Sequence, residues 1–159
     1  MLYSMSAVLP PRNLSKSLRM NPAGISYFYG SADKDTCKEE IRPKTDDKII
    51  YGHFATKKDL RIVDLSEATM ISAKSIFDPD YDHTMNLATY FLMGFVKEIS
   101  NPINENDAPI EYVPTQILSE YIRKLGYDGL CFQSCLTEQL NYTMYCGREE
   151  QQSEDSSRW

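Results

Sequence analysis

Apolar residues recur every three or four positions over residues 84–100, which is typical of an amphipathic helix with one buried face. The continuous apolar stretch within it, residues 88–96, is far shorter than the roughly 20 residues that a membrane-spanning helix needs. We therefore predict a core helix and no membrane anchor. Its predicted inward face consists of Ala88, Phe91, Leu92, Phe95, Val96 and Ile99.

A second helix is predicted over residues 114–125, because Pro114 suits a first helical turn and Gly126 suits a helix end. Gln116 lies in its opening turn, where unsatisfied backbone N–H groups can meet an anion. Capping the helix or bracing a loop is the structural alternative for this side chain. The predicted inward face of this helix consists of Ile117, Leu118, Tyr121, Ile122 and Leu125.

Short runs of β-branched and aromatic residues predict the strands. Residues 48–55 and 59–65 are separated by a short polar segment, so we predict that these two strands pair as neighbours. Further strands are predicted over residues 25–29, 130–133 and 141–146. The order of elements favours an α+β or mixed α/β fold with an antiparallel-rich sheet flanked by helices.

One domain is predicted over residues 1–147. The last residues, 148–159, are too polar to pack against a core, and we predict a disordered tail there. With 159 residues, of which 42% are hydrophobic, the chain is long enough to enclose a cleft.

Charge narrows the classes of function. A net charge of −6 and a pI near 4.9 argue against non-specific nucleic-acid binding, which needs a basic face. Any anion site must therefore come from a few placed arginines. The first residues lack a basic region followed by a long apolar core, so no signal peptide is predicted and a cytoplasmic location is expected.

The cysteines are predicted to be reduced core thiols, as is usual in the cytoplasm. A zinc site built from Cys131 and Cys135 with His53 or His83 is disfavoured, because the C-x3-C pair has no second pair at ligand spacing. We therefore predict no metal. The cysteines concerned are Cys37, Cys131, Cys135 and Cys146.

Residues 19–40 place a cation, an aromatic ring and an anion on consecutive pieces of backbone. Arg19 precedes a tight turn with the sequence Asn-Pro-Ala-Gly, the predicted strand ends at Tyr29, and the next helix carries Glu40. That helix has N-cap candidates over residues 31–35. Thr36 and Glu39 also have the spacing of a capping box.

Each of these residues has a structural alternative. Arg19 and Glu40 could form a surface ion pair worth roughly 0 to 1 kcal/mol, and Tyr29 could be an ordinary core residue. Ser134 follows the predicted strand 130–133, and a serine at a strand end is most often structural.

Two separated blocks of the sequence resemble the RES domain family, whose members are bacterial NAD⁺-degrading toxins. The first block contains the turn 18–24 (LRMNPAG), Tyr29, 31–33 (SAD) and a helix that ends at Glu40. The second contains 112–116 (YVPTQ), 127–130 (YDGL), Ser134 and Asn141. The resemblance extends over about residues 9–146.

The resemblance implies a fold similar to that of ADP-ribosyltransferase toxins, with a twisted sheet split around an NAD cleft. It implies a toxin that cleaves the nicotinamide–ribose bond of NAD⁺ with phosphate or water as acceptor, that is, an NAD⁺ phosphorylase or glycohydrolase. NAD⁺ is then the substrate, no cofactor is needed, a cognate antitoxin is the expected partner, and a homodimer is compatible with the sequence.

The resemblance also implies the site residues, which are expected to converge on one pocket. The implied catalytic residues are Arg19, Tyr29, Glu40 and Ser134. The implied NAD contacts are Arg19, Asn21, Gly24, Tyr29, Gln116 and Asn141. Two alternatives remain open: transfer of ADP-ribose to a macromolecule, and a degenerate domain that binds a nucleotide or a partner without turnover.

The chain departs from the family at its start. Family members begin with a strand that carries an additional arginine, and no such strand is apparent before Pro10. Either that strand is missing or Arg12 supplies the cation from another position. A missing cation would weaken the hold on the phosphates of the dinucleotide.

Overall fold

One hydrogen-bonded sheet organises the fold in the computed structural model, which describes residues 2–4, 12–100 and 108–145. Its strands lie in the order β3-β1-β2-β6-β5-β4 once they are numbered along the chain. They are β1 (Leu2–Ser4), β2 (Phe28–Ser31), β3 (Gly52–Phe54), β4 (Ile62–Asp64), β5 (Gly129–Gln133) and β6 (Leu140–Met144).

Among the residues that the structure describes, four of the five strand pairs are antiparallel, and β4 and β5 run parallel. The α+β class and the antiparallel-rich sheet are therefore confirmed. All six described strands belong to one sheet, whereas the resemblance implied a sheet split around a cleft. In the register of β2 and β6, Tyr29 pairs with Thr143 and Ser31 pairs with Asn141.

Within the described ranges four helices flank the sheet, and the three that the sequence predicts are confirmed. None of the helices in the described ranges is both long enough and apolar enough to cross a bilayer. Two short 3-10 turns lie at Arg12–Leu14 and Ala68–Met70. The helices are α1 (Lys34–Ile41), α2 (His83–Ser100), α3 (Ala108–Glu111) and α4 (Val113–Lys124).

The core lies between α2, α4 and one face of the sheet. Because side chains alternate along a strand, Leu130 and Tyr29 point to the same face as Thr143, and this face packs against the helices. We call it the helix-covered face. Its core cluster contains Met20, Tyr27, Leu65, Phe95, Val96, Ile99, Ile122 and Leu130.

The predicted pairing of residues 48–55 with 59–65 was wrong. The strands observed there, β3 and β4, lie at opposite edges of the sheet. Their connection has none of the Gly or Asn chemistry that a tight hairpin requires. The start of β4 is instead fixed to the start of β5, since Asp128 N–H donates to Arg61 O and Arg61 N–H donates to Asp128 Oδ2, both at 2.8 Å.

Two strand predictions near the N-terminus also need correction. No strand was predicted before Pro10, yet β1 occupies Leu2–Ser4 between β3 and β2. The predicted strand 25–29 begins only at Phe28. The physical reason is that the Ile25 carbonyl accepts hydrogen bonds from Ser15 Oγ and Asn21 Nδ2, which keeps it out of the sheet.

The predicted inward face of α4 was partly wrong. Ile122 is buried, but Ile117 and Tyr121 are 66% and 57% exposed. The positions against the core are taken instead by two small polar residues, Thr115 and Ser119, whose hydroxyls donate to Arg19 O and Tyr145 Oη. Counting apolar positions alone misses such residues. Against prediction, Leu125, which follows α4, is likewise exposed, and so are Phe91 and Ala88 of α2.

Candidate active site

Asp33 starts the helix that carries Glu40. Its Oδ1 accepts hydrogen bonds from the backbone N–H groups of Asp35 and Thr36, both at 3.0 Å, and its Oδ2 accepts from Thr36 Oγ1 at 2.5 Å. Asp33 is one of the predicted N-cap candidates, and it satisfies two of the donors that a helix start leaves unpaired. The start of α1 is thereby fixed, and with it the rotation of the helix.

Asp33→Ala is expected to lower the free energy of unfolding by roughly 1 kcal/mol, because the cap is lost. The hydrogen bonds from the Thr36 hydroxyl and N–H hold the pKa of the Asp33 carboxyl below its usual range. The cap therefore stabilises fully above the ordinary Asp pKa and weakens as pH falls through the lower folded-state pKa. Urea unfolding of both proteins should show the difference at neutral pH and a smaller one in acid; a difference that grows in acid would contradict this assignment.

Glu40 is held by two neutral donors from the far end of the chain. Its Oε1 accepts a hydrogen bond from Ser134 Oγ at 2.7 Å and another from Asn141 Nδ2 at 2.6 Å. Ser134 follows β5, and Asn141 lies in β6. The structure therefore brings together three predicted site residues, although Glu40 lies 94 and 101 positions before the other two. We call Glu40, Ser134, Asn141 and Ser31 the carboxylate cluster.

Ser31 is the fourth member of this cluster and contacts Asn141. Its Oγ donates to Asn141 Oδ1 at 2.5 Å, which leaves the Asn141 amide nitrogen facing Glu40. Ser31, Asn141 and Ser134 are buried, whereas Glu40 is exposed. The result is a carboxylate at the surface whose orientation is fixed by a buried polar network. Ser31 was predicted only as part of a helix cap and not as a site residue. The available signal for a site role is its position two residues after Tyr29, which places both side chains on the same strand face.

The second group of predicted residues belongs to the turn at residues 18–24, which we call the arginine turn. Asn21 is only 1% exposed, and its Nδ2 donates to Ile25 O at 2.7 Å and to Lys16 O at 3.0 Å. Gly24 adopts a φ of 85°, which the predicted turn requires of a glycine. Both residues therefore have a visible role in the turn, and their contact with NAD stays a prediction.

Gln116 braces the same turn from α4. Its Nε2 donates to Leu18 O at 2.8 Å, to Ser17 Oγ at 2.9 Å and to Asn21 O at 3.1 Å. Loop bracing was the structural alternative for Gln116, and the structure shows it. Its predicted role toward NAD remains a prediction.

Tyr29 joins the turn to the sheet. Its hydroxyl donates to Asn21 Oδ1 at 2.7 Å and accepts from Met20 N–H at 3.2 Å. Burial raises the pKa of Tyr29 well above its ordinary value, so the phenol stays protonated at neutral pH. Because Tyr29 and Ser31 share one face of β2, this strand links the arginine turn to the carboxylate cluster.

The described contacts of Arg19 are with residues other than Glu40 and Ser134. Its Nη1 donates to the backbone carbonyl of Glu98 at 2.6 Å, and its guanidinium carbon lies 5.6 Å from the centre of the Tyr112 ring. A cation is favoured there, because the last carbonyls of a helix carry partial negative charge. The surface ion pair with Glu40, which was the structural alternative, is not the observed arrangement. The four predicted catalytic residues thus form two groups. Glu40 and Ser134 belong to the carboxylate cluster, Arg19 and Tyr29 belong to the arginine turn and its contacts, and β2 connects the two groups.

The cysteines correct one expectation. Cys37 and Cys131 are buried, as predicted, but Cys135 is exposed and is no core thiol. Cys146 lies outside the described residues. Burial, together with the nearby Asp64 carboxylate, raises the pKa of the Cys131 thiol to about 12, so this thiol is unreactive at neutral pH. Across residues 2–4, 12–100 and 108–145, no group of three or more His, Cys, Asp or Glu side chains is placed to hold a metal ion.

Comparison with known protein families tests whether the chain belongs to the family that the two sequence blocks resemble. The family model described as the RES domain matches residues 4–157, nearly the whole chain. The chain belongs to the RES domain family. No curated protein and no solved structure matches it.

Membership in the RES domain family supports a RES-type, toxin-like role and is consistent with an enzyme that acts on NAD⁺. The match extends beyond residues 9–146, the part of the sequence in which the resemblance is visible by motif. It includes most of the segment 148–159, whose predicted disorder concerns residues outside the described ranges. The likeness to ADP-ribosyltransferase toxins remains an expectation.

Proposed function

We propose that this RES domain degrades NAD⁺ by cleaving the bond between nicotinamide and ribose, with inorganic phosphate or water as the acceptor. In this proposal the protein is a toxin, NAD⁺ is its substrate, and a cognate antitoxin protein neutralises it. The observation that carries the proposal is the Glu40 carboxylate, which is exposed to solvent and fixed on one oxygen by Ser134 and Asn141.

The chemistry of NAD⁺ cleavage suits such a carboxylate. Nicotinamide leaves as a neutral ring from a cationic one, so the leaving group needs little help from an acid. Positive charge moves to the ribose instead, as in the oxocarbenium-like states of glycoside cleavage. A carboxylate that is already oriented stabilises this charge without reorganising, which is worth a few kcal/mol in enzymes of known mechanism. Glu40 has this role in our proposal.

The other residues support binding in this proposal. Arg19 presents a planar guanidinium beside the end of α2, and a group of this shape suits a pyrophosphate or an attacking phosphate. Tyr29, kept protonated, offers an aromatic ring and a neutral hydroxyl near the turn. Ser134 orients Glu40 by a hydrogen bond. Because the two side chains are in contact, one ribose hydroxyl can interact with both of them in this proposal.

The acceptor can be identified from the products. NAD⁺ carrying a label in its adenylate phosphate should be incubated with the purified chain, with and without inorganic phosphate, and with a cell extract. We expect free nicotinamide and a labelled small molecule, either ADP-ribose or its phosphorylated form. Label found on protein or nucleic acid would instead support transfer to a macromolecule. NAD⁺ that binds but persists would show a domain without turnover.

Ser134→Ala is expected to reduce the rate of nicotinamide release by roughly 10- to 100-fold, because a hydrogen bond to a charged group is worth about 1.5 to 3 kcal/mol. The loss should appear in kcat more than in KM, since the carboxylate acts on developing charge. Ser66→Ala is the matched control, because Ser66 Oγ also donates to a carboxylate, that of Asp64, at 2.6 Å. Equal rates for the two variants would argue against a catalytic role for the Ser134 contact.

A further inference from the structure

The turn between β5 and β6 contains Ser134, and its tip lies in solvent. We call residues 134–139 the β5–β6 turn. The side chain of Leu136 is 44% exposed, and that of Cys135 is exposed as well. Apolar packing therefore contributes little to the position of this turn, which depends on its polar contacts.

The backbone of the β5–β6 turn is strained at one residue. Glu138 has a φ of 60°, in the left-handed region that is unfavourable for residues other than glycine. Two hydrogen bonds close the turn, since Ser134 N–H donates to Gln139 O at 2.7 Å and Glu138 N–H donates to Ser134 O at 3.2 Å. A strained conformation persists only where surrounding contacts hold it. Contacts between the turn and the rest of the fold are therefore expected to matter.

Thr137 makes such a contact with α1. Its hydroxyl oxygen lies 2.6 Å from Thr36 Oγ1, and Thr36 is 0% exposed. The direction of this hydrogen bond follows from Asp33. The Asp33 carboxyl is ionised at neutral pH, because the hydrogen bond from the Thr36 hydroxyl lowers its pKa, and a carboxylate can only accept. Thr36 therefore donates its single hydroxyl proton to Asp33 Oδ2, and Thr137 donates to Thr36.

Two contacts on one face of α1 thus hold the β5–β6 turn. Thr36 and Glu40 are four residues apart, so they lie on the same side of the helix, about 6 Å apart along its axis. Thr137 contacts the first of them and Ser134 contacts the second. A single hydrogen bond would leave the turn free to pivot, whereas two contacts fix both its position and its direction.

The hydroxyl of Ser134 is oriented by the turn itself. Its oxygen donates to Glu40 Oε1 at 2.7 Å and accepts from Leu136 N–H at 3.1 Å. A movement of the turn therefore moves this hydroxyl with it. Asn141, the other donor to Glu40, lies in β6 and is held by Ser31 instead. The turn thus controls one of these two hydrogen bonds on the Glu40 carboxylate.

We propose that Thr137 is a positioning residue of the carboxylate cluster, which acts through Thr36 to keep Ser134 on Glu40. Its effect on a reaction rate rests on the proposed cleavage of NAD⁺, whereas its contact with Thr36 does not. Loss of the Thr137 hydroxyl lets the turn move away from α1, so Ser134 meets Glu40 at a longer distance or a poorer angle. The carboxylate is then less well oriented towards the charge that develops on the ribose.

Thr137→Val removes the hydroxyl and keeps the shape of the side chain. We expect kcat for nicotinamide release to fall roughly threefold to tenfold, because one neutral hydrogen bond is lost. KM should stay within about a factor of two, since binding of the ground state is unchanged. Thr137→Ser keeps the hydroxyl and should restore the wild-type rate. Thr89→Val is the matched control, because Thr89 Oγ1 also donates a hydrogen bond, to Met85 O at 2.8 Å in α2.

The Ser134→Ala background separates positioning from a general loss of stability. If Thr137 acts through Ser134, Thr137→Val should lower kcat no further in a chain that already lacks the Ser134 hydroxyl. Equal losses of kcat in the two backgrounds overturn the proposal. So does a Thr137→Ser variant that is as slow as Thr137→Val.

Urea unfolding tests the contact between Thr137 and Thr36 without NAD⁺. We expect Thr137→Val to lower the urea midpoint of the wild-type chain but not that of the Thr36→Val variant, where its partner hydroxyl is already absent. Equal shifts of the midpoint in both backgrounds overturn the proposal. A wild-type chain that releases no nicotinamide refutes the proposed function instead, and the unfolding measurements still decide whether Thr137 holds the turn on α1.

Discussion

Glu40→Gln is expected to lower the rate of nicotinamide release from NAD⁺ by at least roughly 100-fold. The substitution keeps the shape of the side chain and an oxygen that can accept from Ser134 and Asn141, but removes the negative charge. Loss of one preorganised electrostatic contact to developing charge typically costs about 2.7 to 4 kcal/mol in the transition state. The fold should survive, because Glu40 is exposed. The measurement is nicotinamide release under saturating NAD⁺, beside a thermal melt.

Glu39→Gln is the matched control for this experiment. Glu39 is the preceding residue of α1, is also exposed, and is an acidic residue of the same type. Its substitution should leave turnover within about a factor of two, since its side chain points away from the cluster. If both variants lose activity equally, the loss reflects the charge of α1 rather than the position of Glu40.

Leu130→Ala is expected to lower the free energy of unfolding by roughly 3 to 5 kcal/mol. Leu130 is 0% exposed and lies in β5 at the centre of the helix-covered face. Its removal leaves a cavity that α2 and α4 cannot fill without moving, which adds to the lost burial of the side chain. For a domain of this size such a loss is a large part of the total stability. Urea unfolding measures the change.

Leu136→Ala provides the comparison, because the same atoms are removed from a half-exposed side chain just after β5. We expect a change below about 1 kcal/mol there. Similar changes in the two variants would mean that Leu130 is not packed as the structure shows.

Elements whose signals are local were predicted well from the sequence. The periodicity of α2 marks its whole length, and the cap at Asp33 lies among the predicted candidates. Both depend on residues within a few positions of one another, so no knowledge of the rest of the fold is required.

Pairings between distant segments were predicted poorly. Residues 52–54 and 62–64 each have the composition of a strand, but which neighbour a strand takes depends on the whole sheet. The inward face of α4 failed for a related reason. Thr115 and Ser119 are buried because their hydroxyls find partners on other elements, and those partners cannot be read from the helix alone.

The candidate site was predicted better than the strand pairings but less fully than the local elements. Spacing within residues 19–40 could not bring Glu40 near Ser134; the resemblance to the RES domain family did so, and the structure places the two side chains in hydrogen-bond contact. Arg19 shows the limit of that reasoning. A motif states which residue is present, whereas the contact with Glu98 depends on where α2 ends.

Whether the protein degrades NAD⁺ is tested most directly by a product balance for the purified wild-type chain incubated with NAD⁺ and inorganic phosphate. For each NAD⁺ consumed, one free nicotinamide and one ADP-ribosyl product should appear, over many turnovers per protein molecule. NAD⁺ that stays intact through a long incubation, with the protein still folded, would show that the protein does not degrade NAD⁺.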